Sequence, residues 1–482
     1  MSADVVVASN RGPVSFQTSD DGSLVLRRGG GGLVSGLRSA VSADRSLWVC
    51  AALSDSDRQA ASGVPDGRLA DAGHDVGDTP VRMLAIDPVV LDRAYNSIAN
   101  RTLWFVSHEL YDTPNRPSFD AAWRRDWQAY VDYNTAFAEA LAAEAAEGAR
   151  VAVQDYHMCL VPAQLRALRP DVRIGHFSHT PWAPATYFAL LPDDVAAAVV
   201  HGLLGADHIG FHTARWAQAF LDCARAVLGH DVTADADSLS LQHDGRTSTL
   251  GVYPLGVDGD ELRERAGRSD VQARAAGLRS AVGDRQLIVR VDRTELSKNI
   301  VRGLAAYREL LRTHTEWHGR VVHVAFAYPS RHDLPEYREY TAAVQRIAVE
   351  INDEFTTPGW QPLQLAVQDD YPRSLAALML ADVLVVNPLR DGMNLVAKEG
   401  PVLSTDGCAL VLSREAGAAD ELGADAIVVN PFDVSATAEA MHAALSMPDA
   451  ERRARCDRLA TQATALPPQE WLRAQLDALL PT

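Results

Sequence analysis

Residues Val383–Gly400 read "VLVVNPLRDGMNLVAKEG" and join an apolar run to a helical pattern through a short polar turn. The apolar run Val383–Val386 is typical of a strand that is buried on both faces. The segment Gly392–Leu395 is predicted to open a helix directly after the turn. A strand followed by a helix is the repeating unit of a parallel sheet covered by helices. The stretch therefore predicts an α/β fold.

The same alternation continues in both directions along the chain. Short β-branched runs such as "DVVVAS", "RVAVQDY", "VRIGHFSH", "QLIVRVD" and "RVVHVAFAYP" are separated by Ala- and Leu-rich stretches. Helices are predicted at residues 121–147, 192–204, 213–228, 299–313, 335–355 and 372–380. Continuous apolar strands separated by helices predict doubly wound parallel sheets.

The chain has 482 residues, which is more than one hydrophobic core normally supports, so two domains are expected. The strand "LGVYPLGVD" ends near Asp258, a polar segment follows, and a new βα series begins at "QLIVRV". We therefore predict Rossmann-like domains at 1–257 and 258–452, with a helical segment at 453–482 that is free to cross back to the N-terminal domain. Two such domains would face each other across a cleft at the carboxyl ends of their strands.

Composition restricts the class of partner. The formal net charge is −18, with 47% apolar and 22% charged residues, so nucleic acid and anionic membrane surfaces are not expected as partners. The five cysteines are widely spaced without a CxxC pair, which favours reduced thiols. No signal peptide or membrane-spanning run is recognised, and a cytoplasmic protein is expected.

The glycine run "RRGGGGLVSGL", residues 27–37, suggests a loop whose backbone approaches a phosphate. Its spacing matches neither the dinucleotide fingerprint nor the P-loop. A plain hairpin tip is the alternative interpretation.

Two stretches in the second half carry groups suited to a nucleotide sugar. At "LRDGMNLVAKEG", the N–H groups of residues 392–395 could bind an anion, Asp391 could accept sugar hydroxyls and Glu399 could reach a ribose. The alternative is an N-capping Asp391 with a solvated Lys398–Glu399 pair. At "VRVDRTELSKN", Arg293 and Lys298 could hold a diphosphate, or could be two surface cations.

The N-terminal half offers a different set of polar groups. Asp155, His157 and His179 follow predicted strands, where polar groups are often functional, although a lone histidine is more often structural. Metal binding is not favoured, because the chain has no HExxH motif and no carboxylate pair near these histidines. The groups suited to a sugar phosphate are Arg11, Tyr95, Trp104 and, in the second half, Arg331.

Together these motifs resemble the trehalose-6-phosphate synthases, which are retaining glycosyltransferases with two Rossmann-like domains (the GT-B fold). The resemblance runs from "SNR" through "QDYH", "SHTPW", "YPLG" and the Arg293–Lys298 spacing to "RDGMNLVAKE" and "NPFD". The "RDGMNLVAKE" motif is the most specific of these.

The resemblance implies a role for each matched residue. The donor-binding residues would be Gly32, Asp391, Gly392, Met393, Asn394, Leu395 and Glu399. The acceptor-binding residues would be Arg11, Tyr95, Trp104, Asp155 and Arg331. The catalytic residues would be Arg293, Lys298, His179 and Asp155.

The implied reaction makes α,α-trehalose 6-phosphate from GDP- or UDP-glucose and glucose 6-phosphate, by front-face attack with retention and without a metal or cofactor. A homo-oligomer is expected. One alternative is a pseudo-glycosyltransferase that couples a nucleotide cyclitol to a cyclitol phosphate. Another is an inactive, regulatory paralogue that binds a sugar phosphate, and the intact motifs count against both.

Three departures from the family pattern stand out. The loop "RLDYSKG" is here "RTELSKN", and "HDYH" is "QDYH" with Gln154. Asp369 and Asp370 occupy the predicted base-binding edge, where a carboxylate could accept from guanine N1–H and N2–H₂. This predicts that GDP-glucose is used at least as well as UDP-glucose, unless both are solvated loop residues.

Overall fold

The computed structural model describes residues 2–28, 45–64, 66–71, 73–76, 80–235 and 238–480. Gly32 and most of the glycine run lie outside the described residues. The chain divides into two compact units. Unit 1 comprises Met1–Pro254 and Pro468–Thr482, and unit 2 comprises Leu255–Pro467.

Unit 1 is built on a nine-stranded sheet of order β5-β4-β1-β6-β7-β8-β11-β10-β9, with β2 and β3 pairing as a separate hairpin. Its strands are Ala3–Ser9 (β1), Val14–Thr18 (β2), Leu24–Arg28 (β3), Ser46–Ala51 (β4), Val81–Leu84 (β5), Ala145–Gln154 (β6), Arg173–Ser178 (β7), His208–Phe211 (β8), Val232–Asp235 (β9), Ser240–His243 (β10) and Arg246–Val252 (β11). All neighbours from β5 to β11 are parallel, and β10 and β9 extend the sheet antiparallel.

Unit 2 is built on a six-stranded, entirely parallel sheet of order β14-β13-β12-β15-β16-β17. Its strands are Gln286–Arg293 (β12), Val321–Tyr328 (β13), Leu363–Ala366 (β14), Val383–Val386 (β15), Ala409–Ser413 (β16) and Ile427–Val429 (β17). Numbered within the unit, the order is 3-2-1-4-5-6, the order of doubly wound nucleotide-binding folds. The predicted α/β class is confirmed.

Helices connect the strands of both units. Those of unit 1 are Asp55–Ala61 (α1), Pro88–Asp92 (α2), Trp104–Ser107 (α3), Ala121–Glu144 (α4), Val161–Leu168 (α5), Ala185–Phe188 (α6), Asp193–Leu204 (α7) and Ala214–Leu228 (α8), with a π-helical segment at Arg93–Leu103. Those of unit 2 are Gly259–Ala266 (α9), Ser269–Val282 (α10), Ile300–Thr313 (α11), Pro335–Phe355 (α12), Tyr371–Leu380 (α13), Val396–Leu403 (α14), Ala419–Leu422 (α15), Val434–Leu445 (α16) and Asp449–Ala463 (α17). The last helix, Pro468–Asp477 (α18), belongs to unit 1.

The predicted helices are found with small shifts at their ends. Helix α12 has the predicted bounds, whereas α4 ends at Glu144 because β6 begins at Ala145. The polar segment after Asp258 folds into α9 and α10, and the Asp258 carboxylate caps α9. No helix of the described ranges is long and apolar enough to cross a membrane.

In each sheet, the direction in which successive strands are added reverses at one point, and this reversal determines where the polar groups lie. In unit 1 the chain leaves β1 toward β4 and β5 on one side and returns with β6 on the other. In unit 2 the same change occurs between β12 and β15. Doubly wound sheets bind ligands at this switch point, at the carboxyl ends of the strands. The segments after β1, β6, β12 and β15 are therefore where a site is expected.

Candidate active site

The loops after β12 and β15 are joined at the switch point of unit 2. The Leu389 N–H donates to the Ser297 carbonyl at 2.7 Å. The Asn299 amide donates to the Asn387 carbonyl at 3.0 Å and to the Pro431 carbonyl at 2.7 Å. Asn299 has a φ of 57°, a left-handed conformation that asparagine tolerates better than most residues. These bonds fix the polar residues of both loops relative to each other.

Lys298 and Asp391 form an ion pair across these loops. The Lys298 ammonium lies 2.5 Å from Asp391 Oδ2, which also accepts from the Asn394 amide at 3.0 Å. Burial acts to lower the pKa of Lys298, but the carboxylates of Asp391, Glu295 and Asp292 outweigh it and raise this pKa. The Lys298 side chain is 17% exposed, so its interpretation as a surface cation is wrong.

Glu295 is a buried carboxylate that the sequence interpretation did not single out. It accepts from the Arg293 guanidinium at 3.2 Å and from the Ser330 hydroxyl at 3.0 Å. Burial alone would raise its pKa, but Arg293, Arg331 and Lys298 lower it to about 2. The Arg293 side chain itself is 62% exposed and remains accessible to an anion.

Arg290 supports the Lys298 loop from inside the sheet. Its guanidinium is fully buried, pairs with Asp292 at 2.7 Å and donates to the Lys298 carbonyl at 3.1 Å. A Cβ at Gly303 would come within 2.2 Å of Arg290 Nη1, so glycine leaves the room that the guanidinium needs. The signal in the sequence was a charged residue inside the apolar run "LIVRV", which strand patterning alone does not explain.

The turn after β15 presents backbone N–H groups. Asn394 has a φ of 83°, and its side-chain oxygen accepts from the Ala397 N–H at 3.1 Å at the start of α14. The N-cap position of α14 is Leu395, and the side chain that bonds its first turn is that of Asn394, so the interpretation of Asp391 as an N-cap is wrong. Within the described ranges, the N–H groups of Met393 and Leu395 have no hydrogen-bond acceptor.

Lys398 and Glu399 have different environments, so the interpretation of a solvated pair is wrong. Lys398 is fully buried and donates to the Leu255 carbonyl at 2.8 Å and to Glu421 at 2.6 Å. Glu399 is half-buried, and burial raises its pKa to about 7. Its carboxylate has no hydrogen-bond partner among the residues that the structure describes.

Asp155 connects the ends of β6 and β7 in unit 1. Its N–H donates to the Phe177 carbonyl at 2.7 Å, and its carboxylate accepts from the His179 N–H at 3.1 Å. Its φ of 75° is a strained backbone conformation of the kind that clusters at functional sites. The His157 ring lies 4.0 Å from the other carboxylate oxygen.

His179 is held as a neutral imidazole. Burial lowers its pKa well below the ordinary value, and the nearby imidazoles of His212, His176 and His157 lower it further. Its Nε2 lies 2.9 Å from the Gln154 side-chain oxygen, so Nε2–H donates and Nδ1 keeps its lone pair. Gln154, which stands where the family pattern has a histidine, is therefore a direct hydrogen-bond partner of His179.

Helix α18 carries Trp471, whose contact with His179 the sequence interpretation did not single out. Trp471 is fully buried, with its ring centroid 4.7 Å from that of Phe177 and 5.5 Å from that of His179. Its indole N–H donates to the Tyr253 carbonyl at 3.0 Å. Trp471 therefore forms part of the wall that buries His179.

Besides Asp155, three of the predicted acceptor residues lie in unit 1. Arg11 lies two residues after the end of β1, and it is exposed. Tyr95 stacks on His157 at 5.6 Å between ring centroids, which brings it next to Asp155. Trp104 is only 5% exposed.

The fifth predicted acceptor residue, Arg331, belongs to unit 2. It follows β13 in a left-handed conformation with a φ of 47° and lies 2.5 Å from the Tyr337 hydroxyl. Together with Arg293 and Lys298 it surrounds the Glu295 carboxylate with positive charge. With Arg290 included, four cations face the three carboxylates of Asp292, Glu295 and Asp391, so this loop cluster carries one net positive charge in a chain that is acidic as a whole.

The two aspartates at the predicted base-binding edge differ in their hydrogen bonds. Asp370 accepts from Arg274 Nε at 2.8 Å and from the Arg373 N–H at 3.1 Å, which caps α13. Asp369 is exposed and has no hydrogen-bond partner in the described part of the chain. The Asp370 carboxylate is thus engaged by the protein, whereas that of Asp369 is not.

Comparison with known proteins places these features in a family. The model of glycosyltransferase family 20 matches residues 3–480. The chain belongs to glycosyltransferase family 20. It is therefore a glycosyltransferase, and the resemblance stated from the motifs is confirmed.

Relatives of this glycosyltransferase include a trehalose-6-phosphate synthase of Mycobacterium sp. (strain KMS), 36% identical over 491 residues that span 100% of this chain and 96% of the relative. A UDP-forming α,α-trehalose-phosphate synthase from Burkholderia xenovorans, solved in complex with glucose-6-phosphate, is 28% identical with a TM-score of 0.84 and covers 99% of this chain and 100% of its own. An E. coli structure named for trehalose-6-phosphate and bound with UDP-2-fluoro glucose is 28% identical, with a TM-score of 0.86 and 98% of each chain covered.

Proposed function

We propose that this glycosyltransferase makes α,α-trehalose 6-phosphate from a nucleotide-diphosphate glucose and glucose 6-phosphate. The observation that carries the proposal is the Lys298–Asp391 ion pair of 2.5 Å at the switch point of unit 2. It joins the two motifs that the family resemblance assigns to the diphosphate and to the donor glucose. The names of the relatives support the same substrates.

The donor diphosphate binds to the β12 and β15 loops in this proposal. An ammonium has three donors, so Lys298 can keep its bond to Asp391 and still donate to a phosphate oxygen. Arg293 adds an exposed guanidinium. The N–H groups of Met393 and Leu395 supply neutral donors at a helix start, where an anion is stabilised. Asp391 accepts hydroxyls of the glucose, and Gly32 contributes from the glycine run.

The acceptor is bound by a second set of groups. Arg11 and Arg331 are guanidinium groups suited to the phosphate of glucose 6-phosphate, and Tyr95 adds a hydroxyl. Trp104 is only 5% exposed, so it supports these acceptor-binding residues from the core and does not make a broad contact with the sugar. Asp155 accepts from sugar hydroxyls.

The proposed chemistry is front-face substitution with retention. The bond between the anomeric carbon and the diphosphate oxygen breaks, and the C1 hydroxyl of glucose 6-phosphate attacks from the same face. The departing β-phosphate takes the hydroxyl proton, so the products are trehalose 6-phosphate and the nucleoside diphosphate, which then releases that proton to the solvent. Lys298 and Arg293 stabilise the charge that develops on the leaving group. The neutral His179 accepts from the donor O6 hydroxyl through Nδ1. No step requires a metal.

The proposed function is tested by a substrate matrix. The purified chain is incubated with UDP-, GDP- or ADP-glucose and either glucose 6-phosphate or a cyclitol phosphate, with products identified by mass spectrometry and nucleotide release measured. We expect a disaccharide phosphate only with glucose 6-phosphate, unchanged in the presence of EDTA. A product only with the cyclitol phosphate as acceptor, or no turnover with any pair, would contradict the proposal.

The choice of base gives the first specific prediction. We expect Asp369→Asn to lower kcat/KM for GDP-glucose about tenfold and to leave that for UDP-glucose unchanged, because a neutral amide loses the charge-assisted bonds to guanine. The measurement is initial-rate kinetics with both donors at saturating acceptor. Asp353→Asn is the matched control, as this exposed residue lies on α12. An equal effect on both donors would remove Asp369 from base recognition.

Glu399 gives a prediction on pH. Its pKa of about 7 in the free protein is raised by burial, and the ionised form is the one that accepts two ribose hydroxyls. The donor therefore binds to the ionised form and lowers this pKa. We expect the KM for the donor to rise about tenfold per pH unit as the pH falls below 7, and to be constant above it.

Glu399→Gln is the matched control for this dependence. It should show a higher KM at pH 8 and lose the rise between pH 7 and pH 5.5, since the amide does not titrate. If the wild-type KM for the donor is flat across this range, Glu399 does not bind the donor as a carboxylate.

A further inference from the structure

A cluster of imidazoles and carboxylates lies at the far ends of two helices of unit 2. His314 directly follows α11, and Glu316 belongs to the short 3₁₀ helix Thr315–Trp317. Glu439 and His442 are three residues apart on α16, a spacing that places both on one helix face. Ligand atoms of His314, Glu316 and His442 all lie within 4.8 Å of one another.

The separations within this cluster are close to those of a coordination shell. His314 Nδ1 lies 3.4 Å from Glu316 Oε1, and His442 Nδ1 lies 3.9 Å from the same oxygen. Two ligand atoms bound to one tetrahedral zinc ion at about 2.0–2.1 Å lie about 3.3 Å apart. The two imidazole rings are stacked with their centroids 3.7 Å apart, so binding of one ion by both requires their side chains to rotate.

One imidazole is already oriented as a metal ligand. His314 Nε2 lies 2.9 Å from Glu439 Oε1, so Nε2–H donates to that carboxylate, and Nδ1, 3.4 Å from Glu316, is the nitrogen left for a metal. A carboxylate behind an imidazole in this way fixes the tautomer and raises the basicity of the ligating nitrogen. The His314 and His442 side chains are 19% and 29% exposed, so an ion can reach them from solvent.

We propose that His314, Glu316 and His442 bind one Zn²⁺, with water as the fourth ligand and Glu439 behind His314. Zn²⁺ binds well to a ligand set of two imidazoles and one carboxylate. Ca²⁺ and Mg²⁺ instead prefer oxygen ligands alone. The site lies entirely in unit 2 and does not depend on the proposed substrates.

The ion would stabilise the helices that carry the donor loops. Helix α11 begins two residues after Lys298, and α16 follows the segment whose Pro431 carbonyl accepts from Asn299. Both helices thus start beside the Lys298 loop and end at this cluster. At 14 residues, α11 is about 21 Å long, so the metal acts on stability and not on the reacting atoms.

Trp317 competes with the proposed ion for a nitrogen of His442, and this competition gives a distinctive prediction for the zinc affinity. Its indole N–H donates to His442 Nδ1 at 3.0 Å, and it competes with a metal for the same lone pair. Trp317 is 6% exposed, so its N–H gains no water when that bond is lost. Removing the indole N–H should therefore tighten zinc binding, which is the opposite of what loss of a structural contact would do.

The test is equilibrium dialysis of the full chain, first treated with a chelator, against ZnCl₂ with metal analysis of the protein. We expect one Zn²⁺ per chain for the wild type and a rise in the midpoint of thermal unfolding. His314→Ala and His442→Ala should lose this stoichiometric binding. Glu439→Gln should weaken it about 10- to 100-fold, and Trp317→Phe should strengthen it. Circular dichroism checks that each variant is folded.

His201→Ala is the matched control, because His201 belongs to another surface imidazole pair, 2.9 Å from His243. It should bind zinc as the wild type does. The proposal is overturned if the wild type shows no saturable binding, if His314→Ala and His442→Ala retain it, or if Glu439→Gln and Trp317→Phe leave the affinity unchanged.

Discussion

Lys298→Ala is expected to lower kcat for trehalose 6-phosphate formation by about 10³-fold, because it removes the cation that stabilises the departing diphosphate. It also leaves Asp391, whose side chain is 15% exposed, without the ammonium that now neutralises it. The measurement is initial-rate kinetics at saturating donor and acceptor. Thermal unfolding of the same sample separates lost chemistry from lost folding.

Lys298→Arg is the informative companion to this variant. The chain has only two lysines, Lys298 and Lys398, and both lie at buried positions with a carboxylate partner. A guanidinium is larger and planar and does not replace a compact ammonium at such a position. We therefore expect Lys298→Arg to be nearly as impaired as Lys298→Ala. Arg279→Ala, on the exposed face of α10, is the control that should stay fully active. Normal turnover of both Lys298 variants would refute the diphosphate role.

Trp471→Ala is expected to reduce the free energy of unfolding by about 3–5 kcal/mol, the cost of truncating a fully buried aromatic residue. The change also removes the hydrogen bond to the Tyr253 carbonyl and opens the wall beside His179. Urea denaturation followed by circular dichroism measures the loss. Arg473→Ala is the control, because that side chain is 67% exposed on the same helix.

Trp471→Phe refines the expectation, since it keeps an aromatic ring but loses the indole N–H. Its loss of stability should lie between those of Trp471→Ala and Arg473→Ala. If Trp471→Ala is as stable as Arg473→Ala, then α18 does not contribute to the core of unit 1.

The elements of the fold were predictable because they depend on local patterns. The apolar runs at Val383–Val386 and "LIVRV" and the Ala-rich stretches between them correspond to strands and helices in the structure. The class followed from their alternation. The strand order does not follow from any local pattern, since it depends on which strands pair over long distances.

The ion pair at the candidate site shows where motifs suffice and where they do not. Lys298 and Asp391 were each singled out by residue type and by their position after a strand. Their contact, 93 residues apart in sequence, arises because β12 and β15 are neighbours in the sheet. Motif reasoning therefore found both side chains but could not provide their pairing.

The residues that were missed owe their roles to burial. Glu295 reads as an ordinary charged residue, and Arg290 reads as a charge within an apolar run. The structure places both side chains inside, where Arg290 pairs with Asp292 and Glu295 pairs with Arg293. Trp471 lies in a segment whose packing partner is more than two hundred residues earlier in the chain. The predicted backbone contact of Gly32 falls outside the described residues and stays a prediction.

The most direct test of the proposed function follows the glucosyl carbon. The wild-type chain and Lys298→Ala are incubated with nucleotide-diphosphate glucose labelled with ¹³C at C1, together with unlabelled glucose 6-phosphate, and the products are read by NMR. The wild type should form α,α-trehalose 6-phosphate with the label at the α-anomeric carbon of the unphosphorylated ring. The amount of this product should equal that of the nucleoside diphosphate released. Lys298→Ala should form almost none. Label recovered as free glucose, in a β-linkage or in any product that lacks glucose 6-phosphate would contradict it.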